Sequence, residues 1–302
     1  MADTRADKAC GIDRLLAFLV SMHGKNICDA LSNSIAAALR RAVEIGDVVD
    51  GRYRLLELLG EGAAGKVYRS EDLRQGQPIV ALKLLHAKDA RWENFFRREF
   101  EVLSGLTHPN LVQVYDFGPA PEENTYYFTQ ELVVGKPLLD AVAGMRVVDV
   151  VGLFIEICRA LEFIHAHGVL HRDLKPANIM VNMNQPVGER VRVLDFGLWR
   201  ELDNTPKKGA RWAGTPLYLA SEVLRGYGHS VSADLYAVGV TLFQAITRKL
   251  PHGRGTPQEL LAARKKEAAP DLSHRCSEGF AALVRDLLLE DSEAMVALRG
   301  YT

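Results

Sequence analysis

Residues 169–182 read VLHRDLKPANIMVN, a concentration of polar and charged side chains between two apolar flanks. Pro176 lacks a backbone N–H and resists both a helix interior and a central strand, so a loop between structured elements is expected here. Within it Asp173 and Asn178 lie five residues apart, a spacing suited to one side chain orienting a hydroxyl while the other coordinates a metal. The next run, RVRVLDFG at 190–197, reads as a buried strand ending in Asp195, an oxygen ligand of the kind that hard Mg²⁺ prefers.

Upstream, IVALKLL at 79–85 alternates so that Ile79, Ala81, Lys83 and Leu85 share one face. Both faces are apolar except at Lys83, whose charge needs a partner unless it snorkels from a strand edge. A helix expected over 89–106 supplies one: its apolar stripe runs Trp92, Phe95, Phe96, Leu103 and Leu106, and Glu99 sits inside that stripe. A carboxylate on a buried face is costly unless paired. A Lys83–Glu99 pair solves both burial problems and leaves the ammonium ready for a phosphate.

The stretch LGEGAAGKVYRS at 59–70 admits three readings. Gly60, Gly65 and Lys66 fit a P-loop, but Val67 offers no hydroxyl to a magnesium ion. Gly60, Gly62 and Gly65 also fit G-x-G-x-x-G followed by x-V, a glycine-rich cover over nucleotide phosphates. The same glycines can make a flexible turn between strands, because they tolerate positive φ.

The 302 residues are enough for one large domain or two lobes with a substantial core. With 48% hydrophobic and 25% charged residues the composition is that of an ordinary globular protein. Lys plus Arg (37) nearly balances Asp plus Glu (38), so nothing draws the chain toward nucleic acid or an anionic membrane. Cys10, Cys28, Cys158 and Cys276 form no C-x-x-C pair, which argues against zinc or disulfides and for a reducing, cytoplasmic setting. The apolar run Leu15–Met22 falls far short of the ~20 residues of a membrane span, and Asp3, Asp7 and Asp13 make a poor signal peptide.

Residues 1–46 read as a separate helical extension, with Ile27, Leu31, Ile35, Ala38 and Leu39 near helical spacing and Gly46 as its stop. From residue 47 the texture turns to strands: YRLLELL, KVYRSED, IVALKLL and, after the helix, LVQVYDF and TYYFTQELVV. Beyond residue 140 the chain becomes mostly helical, most clearly over 147–167 and 232–247. Strands first and helices later imply an α+β chain in which a β-rich lobe joins an α-rich lobe near Glu131–Gly135.

In their order and spacing these motifs make the chain resemble the protein kinase family, and within it the bacterial eukaryotic-like Ser/Thr kinases. The resemblance covers about residues 50–290: glycine-rich loop, VALK, helix glutamate, HRDLKPAN, DFG and GTPLYLASE. It implies the two-lobed kinase fold, with an N-lobe over 47–130, a hinge over 131–135 and a mostly α-helical C-lobe over 136–302. It also implies an ATP- and Mg²⁺-dependent protein kinase, with a catalytically impaired scaffold and a small-molecule phosphotransferase as the alternatives. The scaffold is disfavoured because the strand lysine and both key aspartates are present.

By position the resemblance assigns Lys83, oriented by Glu99, to the α- and β-phosphates, Asp195 and Asn178 to two Mg²⁺ ions, Asp173 to the acceptor hydroxyl and Lys175 to the γ-phosphate. Gly60, Gly62 and Gly65 become the phosphate cover. Glu131 and Val133 offer backbone groups to adenine, Val67, Ala81 and Met180 sandwich the ring, and Gln130 is the gatekeeper behind it. Lys175 and Thr215 follow the Ser/Thr pattern, so protein substrates with Ser/Thr acceptors are expected. Arg172 before Asp173 suggests that phosphorylation of Thr205, in trans through self-association, orders the activation segment.

Two departures stand out. Ala220, Ser221 and Glu222 occupy the usual A-P-E, so the proline is lost. Met295 stands where the arginine partner of Glu222 is expected, with Arg299 or another arginine as the substitute; a buried pair broken this way costs ~3 to 5 kcal/mol. The chain ends at Thr302, before the family's last helix, so a C-lobe truncated at its end and less stable is expected.

Overall fold

The computed structural model describes residues 43–62, 65–74, 79–86, 90–121, 125–195, 216–266 and 271–289. The helical extension expected before residue 43, Thr205, Thr215, Met295 and Arg299 lie outside the described residues.

The first unit is a six-stranded sheet, ordered β1-β2-β3-β4-β6-β5, with every pairing antiparallel. Its strands are β1 (Val48–Val49), β2 (Tyr53–Gly62), β3 (Gly65–Asp72), β4 (Ile79–His86), β5 (Val114–Pro119) and β6 (Thr125–Glu131), with helix α1 (Ala90–Ser104) between β4 and β5. β4 is buried on both faces. Val80, Leu82 and Leu84 join a core with Tyr53, Leu55, Tyr68 and Tyr127, while Leu85 packs with Trp92 and Phe96 of α1 on the other side. Since Lys83 and Leu85 share a face, α1 lies against the side of the sheet that carries Lys83.

The sheet unit starts earlier than residue 47. Val43 is buried in the sheet core and the N–H of Gly46 donates to the carbonyl of Leu55 at 2.8 Å, so residues 43–46 pack against the sheet without joining a strand, with Gly46 in a turn at φ 95°. An apolar side chain that completes the core outweighs the helical spacing of the residues before it.

The second unit is mostly helical: β7 (Lys136–Pro137), α2 (Leu138–Ala141), α3 (Val147–Ala166), a 3₁₀ turn at Pro176–Asn178, β8 (Ile179–Val181), β9 (Val191–Val193), a 3₁₀ turn at Pro216–Tyr218, α4 (Ser221–Leu224), α5 (Val231–Thr247), α6 (Pro257–Lys266) and α7 (Glu278–Leu287). Helix α3 buries Val150, Leu153, Phe154, Ile157, Leu161 and Ile164, a stripe at helical period. Helix α5 starts where the Ser230 hydroxyl accepts from the N–H of Ala233 at 3.1 Å, and it is buried almost all round. This is the α+β, two-lobed architecture with a β-rich first lobe.

Three expected elements differ in extent. The strand expected from Leu111 starts at Val114, because the preceding residues bond to β9 instead: the N–H of Val112 donates to Val193 and that of Val193 to Asn110, at 3.0 and 2.8 Å. The strand expected to reach Asp195 stops at Val193. Nor is 169–182 a loop throughout; Pro176 opens the 3₁₀ turn, where its missing N–H costs nothing, and β8 follows.

A buried polar group ties these pieces together. Glu156 of α3 accepts from the N–H of Gly188 and of Val191, each at 2.9 Å, and from the Asn110 side chain at 3.2 Å. Asn110 in turn donates to the carbonyls of Gly188 and Val191 at 2.9 and 3.2 Å. The loop after α1 and the hairpin before β9 are thereby fixed to the C-lobe core. Glu156→Gln turns an amide N–H₂ toward these donors and is expected to lower unfolding stability by about 1–3 kcal/mol, seen as a lower urea midpoint at unchanged m-value.

Candidate active site

The face of the sheet turned toward the helical unit is set by strand register. Val67 pairs with Lys83, Lys83 with Phe128, and Ala81 with Gln130, so all five side chains lie on one face. Lys66 pairs with Leu84 and points to the opposite face, which removes it from the phosphate role of a P-loop lysine. The glycine stretch is the β2–β3 hairpin, with Gly62 opposite Gly65. Gly65 has φ +129°, and a Cβ there would lie 1.8 Å from the carbonyl oxygen of Leu84, so no other residue fits.

Lys83 is buried and its Nζ lies 2.9 Å from Asp195 Oδ1. Its expected partner Glu99 lies on α1, but the Glu99 side chain is outside the described residues. Behind Asp195 the second polar group converges: Lys175 Nζ sits 2.8 Å from Asp173 Oδ2, and Asn178 Nδ2 donates to the Asp173 carbonyl at 2.9 Å and to its Oδ2 at 3.2 Å. The same Asn178 amide reaches the Asp195 carbonyl at 3.4 Å. Lys83, Asp173, Lys175, Asn178 and Asp195 therefore form one connected cluster.

The cluster hangs from Asp234, in the first turn of α5 and 2% exposed. Its Oδ2 accepts from the N–H of His171 at 2.8 Å and its Oδ1 from that of Arg172 at 2.9 Å, while His165 Nε2 lies 2.8 Å from Oδ2. Burial pushes this carboxyl up, but the His165 contact, the His171 ring and the two backbone N–H groups outweigh it and hold the group ionised below its usual range. His171 is fully buried; burial pushes its ring below the usual histidine value, against the pull of Asp234 and Asp173. The neutral ring donates from Nε2 to the Leu194 carbonyl at 3.0 Å and accepts at Nδ1 from the N–H of Asp173 at 3.3 Å. Arg172 and Asp195 take positive φ, 65° and 45°, a conformation that costs ~1–3 kcal/mol and persists where surrounding contacts impose it.

At the lobe junction the N–H of Glu131 donates to Gln113 at 2.8 Å, and its carboxylate lies 3.5 Å from Arg192 Nε on β9. A Cβ at Gly135 would meet the Val181 carbonyl at 2.7 Å, so the connector presses on β8, where Met180 pairs with Pro137. Gln130 is buried. Among the described residues no group of three or more His, Cys, Asp and Glu could hold a metal alone. Asp195 and the Asn178 carboxamide, whose nitrogen is spent on Asp173, instead offer two hard oxygens. That set suits Mg²⁺, which usually completes its shell with phosphate oxygens and water.

Asp234, Asn110, Glu156 and Arg192 escaped the sequence reading. The available signal for Asp234 was a lone acid in the run ADLYAVGVTLF, and for Glu156 a lone acid in VGLFIEICRAL; for Asn110 and Arg192 there was none, because their partners lie more than forty residues away along the chain. Buried Glu222 is not left without a partner.

Residues 53–296 match the family model of the protein kinase domain. The chain is 37% identical over 217 residues to the serine/threonine-protein kinase pkn3 of Myxococcus xanthus, covering 68% of this chain and 40% of that protein. It is 35% identical over 236 residues to the DNA damage-responsive serine/threonine-protein kinase RqkA of Deinococcus radiodurans, covering 75% and 34%. With the serine/threonine-protein kinase PknB of Mycolicibacterium smegmatis the identity is 38% over 214 residues, covering 66% and 33%. The chain thus spans between a third and two fifths of the length of these relatives.

Two outcomes are expected of the Asp234 anchor. Asp234→Asn sets an amide against backbone donors and should lower stability by about 1–3 kcal/mol, with the loss measured by urea titration. In the unfolded chain His171 takes up a proton near pH 6.5, whereas the folded ring resists it. Below the unfolded value the unfolded state binds more protons, so the melting temperature should fall as pH is lowered through about 6.5, and His171→Gln should flatten that fall.

Proposed function

The chain belongs to the protein kinase family, within the bacterial eukaryotic-like group, and from that premise we propose that it transfers the γ-phosphate of ATP, with Mg²⁺, to Ser/Thr hydroxyls of proteins. The observation that carries this reading is the single cluster in which Asn178 contacts both Asp173 and Asp195, and Asp195 contacts Lys83. Phosphoryl transfer needs little covalent work from the protein; positioning and charge do most of it.

In this proposal Lys83 holds the α- and β-phosphates under the Gly60–Gly65 hairpin. Asp195 and Asn178 would hold Mg²⁺, which when bound would supply positive charge beside the phosphates. Asp173 accepts the hydrogen bond of the acceptor hydroxyl and aligns it in line. Lys175, already 2.8 Å from that carboxylate, steadies the γ-phosphate. Val67, Ala81 and Met180 enclose adenine, Glu131 and Val133 bind its edge through backbone groups, and Gln130 lies behind it. Glu99 completes the Lys83 site, and Thr205 with Arg172 forms a phosphorylation switch filled in trans.

The kinase unit is proposed to occupy the chain from the sheet onward, with residues before it as an appendage. Among the described residues no helix is long and apolar enough to cross a membrane; a cytoplasmic site of action is proposed from the unpaired spacing of the cysteines.

The test is incubation with Mg²⁺ and labelled ATP, with phosphosites mapped by mass spectrometry. Asp173→Asn is expected to lower transfer by roughly 10²–10⁴-fold, the range for losing a positioned base. Label of equal intensity in that variant would overturn the assignment of Asp173. A fully active enzyme unmodified at Thr205 would overturn the switch.

A further inference from the structure

The lost proline at position 221 has a structural counterpart. A proline there would confine Ala220 to extended backbone, and Ala220 does sit at φ −63°, ψ 158° without one. The restraint comes from α6. Arg264 Nη1 donates to the Leu219 carbonyl at 2.7 Å and to the Ser221 hydroxyl at 3.4 Å, one contact on each side of Ala220. Its guanidinium is itself placed by the buried ring of Tyr236 on α5, 4.8 Å from the ring centre. Nearby His252 is kept neutral, its ring pushed down to about 4 by burial and by the Arg264 charge.

The segment held this way matters because of what it faces. Leu219 and Ala220 line the same depression as Arg172, Asp173 and Leu174. A second tie fixes the same lining, since Tyr218 donates its hydroxyl to Gln244 on α5 at 2.6 Å. This lining and the base that would receive the acceptor are therefore referenced to one helix.

We propose that Arg264 is a positioning residue for the protein acceptor, holding Leu219–Ser221 in the conformation that proline imposes elsewhere in the family, so that an acceptor chain meets a preformed wall beside Asp173. This rests on the kinase reading for its functional meaning, while the contact itself stands on geometry alone.

The experiment compares wild type, Arg264→Met, Ser221→Pro and the double variant. One measurement is amide hydrogen exchange over 217–225; the other is steady-state kinetics with myelin basic protein as acceptor. Arg264→Met keeps the bulk and loses the donors, and is expected to speed exchange at Leu224 and Arg225 and to raise the acceptor KM about tenfold, with the ATP KM unchanged. Proline is tolerated at the first helical position and supplies the backbone restraint itself, so in the double variant it should restore most of what Arg264→Met loses, read against the Ser221→Pro single variant, which lacks the hydroxyl that Arg264 contacts. A purely structural Arg264 would move the ATP KM and kcat together with the melting temperature and gain nothing from proline; that result overturns the proposal. Unchanged exchange in Arg264→Met overturns it as well. Faster exchange, rescued by proline, in a protein whose wild type transfers no phosphate would uphold the anchor and overturn the kinase reading.

Discussion

Asp234 enters the C-lobe core at the first turn of α5, and its two oxygens receive the backbone N–H groups of His171 and Arg172 and the ring of His165. A carboxylate that leaves water costs several kcal/mol unless such donors replace the lost hydration. The cost is met only if the catalytic loop takes one particular path, with Arg172 at φ 65°. Everything downstream follows from that path. His171 tucks under the loop and reaches Leu194, Asp173 is turned toward Lys175 and Asn178, and Asn178 touches the residue that contacts Lys83.

The β-lobe is referenced to the same frame by a second set of contacts. The loop after α1 bonds edge to edge with β9, and Asn110 and Glu156 close the gap between that loop, the hairpin and α3. Arg192 extends the tie to Glu131 at the connector. Helix α1, the connector and the strand that leads to Asp195 therefore share one buried anchor. The sheet can then present Lys83 to Asp195, which follows β9 in the other lobe.

Much of the fold was legible locally. Alternation in IVALKLL marks a strand buried on both faces, and the stripe in 147–167 marks the core helix, because burial leaves a periodic trace in the chain. The boundaries were less legible. Val43 joins the sheet core through its side chain, the strand expected from Leu111 starts at Val114 because backbone groups before it bond to β9, a partner distant in sequence, and the strand before Asp195 stops at Val193. The glycine stretch shows the same limit from the other side. Its glycines fit several devices, and only the pairing of Val67 with Lys83 and of Lys66 with Leu84 decides which lysine can meet a phosphate.

By itself the sequence determined the order of elements and the identity of the polar residues that cluster, since these depend on periodicity, on proline and glycine placement and on motif spacing. It also recorded the missing proline at position 221 without explaining it. Only the tertiary structure decided that Asp234 carries the loop at His171 and Arg172, that Glu156 and Asn110 lock the loop after α1 to β9, and that Arg264 grips the segment around Ser221. The physical reason is common to all three. A buried charge is stable only where donors from several distant segments converge on it, and that convergence exists in space before it can be seen along the chain.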